Sequence, residues 1–324
     1  MATTTAPDTR MLSALPPASG RAGLRGAIAS EFTKIRSVRS TYWTLLALLI
    51  VSVGVGAAIT AGIDSSFGRN PGNKAGFDAT QSSLIAFFEI GQLIIAVIAA
   101  LAITSEYSTG MIRTALTAQP RRGTVYAAKA IVLTSLTLVV SLVTSFIAFF
   151  VGQVLLSGSG VSASLFHSVT VPLNANMTCP NPGQQVPDSA GPGPGPGCKV
   201  VFSGSYVIHP STVLLAIIGC ALFVTLVALI TFGIGALVRH TAGTIAIAIA
   251  ALFIIPVLEQ ALPNEWRWDI MRFLPDAANQ VVSVTFGPNA NQHLWSAWPQ
   301  LGVTALWAAA LLAAGAYLFR KRDA

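Results

Sequence analysis

Long apolar runs, separated by short polar segments, dominate the chain. A helix rises 1.5 Å per residue, so about 20 apolar residues cross a hydrocarbon core of about 30 Å. Six runs come near or above that length: Tyr42–Gly62, Ser83–Ile103, Ala130–Gly152, Ser211–Val238, Thr241–Leu258 and Pro299–Phe319. The fifth is the shortest and ends at Pro256, so a broken or shallow crossing is expected there. The pattern predicts an all-α integral membrane protein with six transmembrane helices. Ahead of the first run, Leu24, Ile28, Phe32, Ile35 and Val38 recur every three or four residues, the spacing of one helical stripe, with Arg25, Lys34 and Arg36 off it. This predicts an N-terminal amphipathic helix lying in the membrane interface. Plain basic flanking of the first span is the competing reading. Residues 1–20, rich in Ala, Thr and Pro, read as a disordered tail. The resulting division is tail 1–20, interfacial helix 21–41, a six-span domain over 42–319 and a C-terminal end at 320–324.

Composition sharpens the class. Only 10% of the 324 residues are charged and 53% are hydrophobic. Soluble domains carry about a quarter charged residues, so an ordinary soluble enzyme is excluded on surface chemistry alone. The net charge of +7 follows topology. With six spans, 14 of the 19 Lys and Arg fall on the side of the two termini, which predicts a multi-pass plasma-membrane protein with both termini cytoplasmic. A nucleic-acid partner is not expected.

The loops hold the candidate chemistry. The segment 104–129 combines a polar stretch ending in Gly110, a helix-forming run from Met111, a stop at Pro120, and Arg121 and Arg122. It reads equally as a lever for a partner or as a simple connector. The loop 153–210 carries a Gly-Pro repeat between Cys179 and Cys198, two candidates for a disulfide on the oxidising side. Cys220 lies inside the fourth run and reads as a packing residue. The stretch 259–286 mixes Trp266, Trp268 and Phe273 with acids. It fits either a short amphipathic or re-entrant helix or an aromatic belt. One acid, Glu89, falls inside a span with Gln92 nearby. It is either a cavity or interface group or a snorkelling carboxyl.

Catalytic signatures are missing from the sequence. There is no G-x-x-x-x-G-K-[ST] phosphate loop and no G-x-S-x-G elbow. The histidines, His167, His209, His240 and His293, are scattered. The chain is therefore not expected to be an enzyme, nor to bind metal or cofactor itself.

Two segments carry a family resemblance. Ser30 through Trp43 (S-E-F-T-K-I-R-S-V-R-S-T-Y-W) resembles the lead-in of ABC-2-type ABC transporter permeases. Thr104 through Arg113, with Pro120, Arg121, Arg122 and Lys129 after it, is similar to that family's segment following the second span. The resemblance is nearest to permeases of high-GC Gram-positive bacteria. It implies a permease subunit, homo- or heterodimeric, driven by a separate phosphate-loop ATPase that binds the ATP and Mg2+. It also implies export of a hydrophobic or amphipathic compound such as a drug, antibiotic or lipid. The coupling residues it points to are Glu106, Tyr107, Gly110, Met111, Arg113, Arg121 and Arg122. The interfacial helix (Leu24, Ile28, Phe32, Lys34, Ile35, Arg36) would touch the ATPase. The competing readings are a non-transporting membrane partner of an ATPase and a secondary carrier. The carrier is disfavoured because ionisable groups do not recur within the spans.

Overall fold

The computed structural model describes residues 23–111, 121–178, 199–259, 261–275 and 296–321. Helix α1 (Leu24–Ser37) is separated from α2 (Arg39–Arg69) by one residue, Val38, whose extended backbone lets the first helix leave the axis of the second. A 3-10 turn at Pro71–Lys74 follows. Helix α3 (Ala79–Ser108) starts where the Asp78 carboxylate accepts from the Thr80 and Gln81 amides, an N-cap that satisfies two orphan donors. Next come α4 (Arg122–Leu156), strands β1 (Val169–Thr178) and β2 (Lys199–Ile208), and α5 (Pro210–Val238). The last elements are α6 (Thr241–Ile254), α7 (Ile255–Glu259), α8 (Asn264–Met271) and α9 (Ala297–Lys321).

Five helices, α2, α3, α4, α5 and α9, have the length and composition to cross a membrane. The fifth apolar run is different. Its helix α6 covers Thr241–Ile254, loosens into a π turn at Ala250–Ile254 and continues only as the one-turn α7 around Pro256. Five of the six predicted runs thus form helices of spanning length and composition, and the fifth run forms a shorter helix, continuous through its π turn to Glu259. Proline, which lacks an amide donor, sits where the helix loses regularity.

Helix α5 is the most buried span, with α3, α4 and α9 packed round it. Apolar on every side, it suits a central position. In hydrocarbon the gain comes from close packing rather than from leaving water, so small residues set the contacts. Phe88 of α3 stacks on Phe223 of α5 at 4.5 Å between ring centroids. At Gly233 of α5, an added Cβ would lie 2.8 Å from the backbone carbon of Leu311 in α9. The two helices meet there backbone to backbone.

The bundle has two chemically distinct ends. At one, α1, the end of α3, the start of α4 and the end of α9 gather the basic residues; this is the basic end. At the opposite end β1 and β2 pair antiparallel, from Val169 opposite Ile208 to Thr178 opposite Lys199. This hairpin departs from the all-α expectation. β-Branched and aromatic residues concentrate in V-T-V and in Y-V-I, on either side of the Gly-Pro stretch, and favour strands there. The hairpin is tied to the bundle by the Gly76 amide, which donates to the Pro172 carbonyl at 2.8 Å. Gln153 adds a second stitch: its amide donates to Ser83 Oγ at 3.0 Å and its carbonyl oxygen accepts from the Ala163 amide at 2.6 Å.

The aromatic stretch after α7 does contain a short helix, α8. The turn that follows runs beside α9: Gln300 donates to the Arg272 carbonyl (2.9 Å), Thr304 to that of Pro275 (3.0 Å), and Trp307 Nε1 to that of Phe273 (2.8 Å). Irregular backbone so held has its polar groups satisfied by protein.

Replacing Gly233 by Ala should destabilise the bundle by roughly 1–3 kcal/mol, the usual cost of overpacking. Gly54→Ala, with nothing within 4 Å of the new methyl, should be neutral. Thermal unfolding of both variants in detergent tests this; equal midpoints would refute the close α5–α9 contact.

Candidate functional site

Four charged side chains from three helices meet at the basic end. Glu31 and Lys34 sit one turn apart on α1, on its side facing the bundle. Glu106 lies in the last turn of α3, and Lys129 two turns into α4. Lys129 Nζ donates to Glu31 Oε2 at 2.7 Å and also to Glu106 Oε1. Lys34 Nζ donates to Glu31 Oε1 at 2.8 Å and to Glu106 Oε1 at 3.1 Å. Two carboxylates and two ammonium groups thus form a neutral ring. Glu106 is 4% exposed, Lys129 6% and Glu31 8%; only Lys34 reaches solvent appreciably.

The electrostatics explain why the charges persist. Burial by itself pushes the Glu31 carboxyl up, but Lys129 and then Lys34 outweigh it and hold the group below its ordinary value of 4.5. Burial likewise pulls Lys34 down, and its bonds to Glu31 and Glu106 more than reverse this, leaving it above 10.5. Glu106 Oε2 is buried without a hydrogen-bond partner, so the ring retains one unused acceptor.

The same end of α3 holds two further elements. Thr241 of α6 donates its hydroxyl to Thr104 Oγ1 at 2.9 Å. Arg239, the left-handed C-cap of α5 (φ 58°), places its guanidinium 5.1 Å from the Tyr107 ring centroid. Tyr107 also meets Phe319 of α9 edge to face. The final turns of α3 are therefore a hub on which α1, α4, α6 and α9 converge.

Residues expected to couple to a partner are placed unevenly. Glu106 does not face outward; both lysines occupy it. Tyr107 is half-buried in the aromatic contact. Gly110, at φ +69°, ends α3 in the left-handed conformation that glycine tolerates, and Met111 beyond it is 49% exposed. Arg113 lies outside the described residues, as do Cys179 and Cys198. Arg121 and Arg122 stand apart from the ring, in a neighbouring cavity with Arg320. On α1, Leu24 and Phe32 are exposed, Ile28, Lys34 and Ile35 are half-buried, and Arg36 is exposed. Leu24, Phe32 and Val38 of the predicted stripe turn outward, Ile28 and Ile35 lie at its edge, and the Ala27–Glu31 side packs. Glu89 is half-buried on a π turn, Phe87–Gly91, while Gln92 is fully buried with both amide atoms unpartnered. Among the described residues, no three His, Cys, Asp or Glu gather as metal ligands.

Glu31 and Lys129 had drawn no functional role from the sequence. Their signals were present: an acid on a basic helix one turn before Lys34, and a lysine at the threshold of an apolar run. Only the register of three helices joins them.

Residues 27–180 match the family model described as ABC-2 family transporter protein. The matched segment is thus similar to ABC-2 family transporter proteins, and five helices of the chain have the length and composition to cross a membrane. All four residues of the charge ring lie within this ABC-2 segment. No curated protein matches the chain.

Lys129→Met should cost about 3–5 kcal/mol, because it leaves two buried carboxylates facing each other. Adding Glu31→Gln and Glu106→Gln should recover at least half of that; failure of the triple variant to recover would assign the loss to packing instead. The pH dependence has a defined sign. Stability owed to Glu31 is present above pH 4.5 and is lost as pH falls through the lowered folded value. That owed to Lys34 is present below pH 10.5 and is lost as pH rises through its raised value. Melting curves of wild type against Glu31→Gln and Lys34→Gln should converge at those respective extremes.

Proposed function

We propose that this chain is the permease subunit of an ATP-driven exporter and that the buried charge ring is its coupling joint. The observation that carries the reading is the ring itself. It makes α1, α3 and α4 move together, because turning α1 away from the bundle would strand charges that burial makes costly. In this reading the basic end faces the cytoplasm, in keeping with the positive-inside distribution. A separate phosphate-loop ATPase binds ATP and Mg2+ and docks against α1 and the 104–122 segment. Met111, exposed just past the glycine that ends α3, is the apolar contact, and Arg113 belongs to the same docking segment. Closure of two ATPases pushes on α1 and on the end of α3, and the ring passes that displacement to the spans. A bundle with two discrete packings can respond to such a push as a unit.

A second permease copy or a related chain completes the pathway. The cargo is hydrophobic or amphipathic, since few ionisable groups lie within the spans. Chemistry stays on the ATPase; this chain contributes shape and mechanical linkage.

The test begins with purification from native membranes in mild detergent. A phosphate-loop ATPase at about one per chain is the expected partner, and its absence even after cross-linking would defeat the reading. Met111→Glu should lower ATPase retention with little change in the melting point. The pair Glu106→Gln/Lys129→Met, neutral in net charge, should keep the ATPase bound while transport falls relative to ATP hydrolysis. Tight coupling in that variant would refute the joint.

A further inference from the structure

An open cavity of about 600 Å3 lies beside the charge ring, between the starts of α1 and α4 and the end of α9. Its walls bring together Arg121 and Arg122 at the head of α4 and Arg320 in the last turn of α9, although nearly 200 residues separate them in sequence. Gly123 makes room for this convergence. A Cβ there would lie 2.7 Å from Nη2 and 2.8 Å from Nε of Arg320, so the guanidinium occupies the space a side chain would fill. No carboxylate is among the described lining residues, and Arg121 and Arg320 form no ion pair among the described residues. The nearby acids Glu31 and Glu106 are already engaged by Lys34 and Lys129.

The rest of the lining is Leu24, Gly123, Thr124 and Ala127, with Thr124 the one polar side chain among these four. Leu24 belongs to the exposed stripe of α1, and Ala127 lies on the first turns of α4. The cavity therefore combines cationic groups with apolar side chains at the basic end, where α4 begins and α9 ends. Guanidinium groups offer paired donors that match phosphate oxygens.

We propose that this cavity binds the phosphate of an anionic phospholipid headgroup, with Arg121 and Arg320 as the principal contacts and Leu24 and Ala127 against the start of the acyl chains. The placement in the inner leaflet rests on the cytoplasmic assignment of the basic end; the binding chemistry does not. A lipid seated there would bridge α1, α4 and α9 next to the joint, so membrane charge would tune how firmly α1 is held.

Native mass spectrometry of the full-length chain, with whatever subunits co-purify, gives the test. The probes are phosphatidylglycerol and phosphatidylcholine with identical acyl chains. Wild type should retain phosphatidylglycerol preferentially, and Arg121→Gln/Arg320→Gln should lower that retention by about thirtyfold, from the loss of two juxtamembrane cations. Lys321→Gln, outside the cavity lining, should retain it as wild type does, and melting points should confirm that the variants fold. Persistence of bound lipid in excess inorganic phosphate supports the headgroup as the source. Displacement by phosphate would overturn the lipid assignment in favour of a soluble anion. Equal retention of the two lipids, or unchanged phosphatidylglycerol binding in the double variant, would overturn the site. So would loss of the ATPase partner in the double variant with lipid binding intact, since the surface would then be a protein dock. Because the lipid readout requires no ATPase, its failure is distinguishable from failure of the transporter reading.

Discussion

A lysine buried two turns inside an apolar helix cannot stand alone. The free energy of removing an ammonium group from water is repaid only by well-placed counter-charges with good hydrogen-bond geometry. Lys129 has two, and they come from different helices: Glu31 from α1 and Glu106 from α3. Lys34 then balances the second negative charge. This requirement fixes the angle at which α1 lies against the bundle and the register of α3 against α4. Val38 supplies the freedom for it, a single extended residue that lets α1 fold back from the first span.

The opposite end is held by different means. There the stitches are hydrogen bonds rather than ion pairs: the Asp78 cap, the Gln153 amide between α3 and α4, and the Gly76–Pro172 bond to the hairpin. Each contributes about 1 kcal/mol net, or somewhat more where a charge takes part. Two of them also join distant segments, Gln153 to Ser83 and Gly76 to Pro172, but as single hydrogen bonds. The charge ring instead joins four buried or half-buried charges and resists separation far more strongly once formed. Between the two ends α5 provides a packed axis, with glycine contacts to α9 that allow little slack. A bundle so built joins its basic end to packed helices, the mechanical linkage on which the proposed coupling role rests.

Much of this was legible in the sequence. Four of the apolar runs, and the stripe ahead of them, grew directly into α2, α3, α4, α5 and α1, because in a membrane the backbone must satisfy itself within each helix. The last run became α9 for the same reason. The fifth was ambiguous on its face, and Pro256 resolved it toward a short helix. The hairpin was overlooked because the Gly-Pro repeat between the strands drew attention away from the β-branched and aromatic residues on either side. The family resemblance pointed to Glu106 as a coupling residue; the fold adds that its side chain turns inward between two lysines.

The sequence by itself determined the membrane class, most of the helices and the family resemblance, since these depend on hydropathy, length and local motif. Tertiary structure alone decided that Glu31, Lys34, Glu106 and Lys129 meet, and that Arg121 and Arg320 share a cavity. Such juxtapositions depend on the crossing and rotation of helices, set by side-chain packing between distant segments. A one-dimensional pattern shows which residues are charged, but not which of them must share a buried space and neutralise one another.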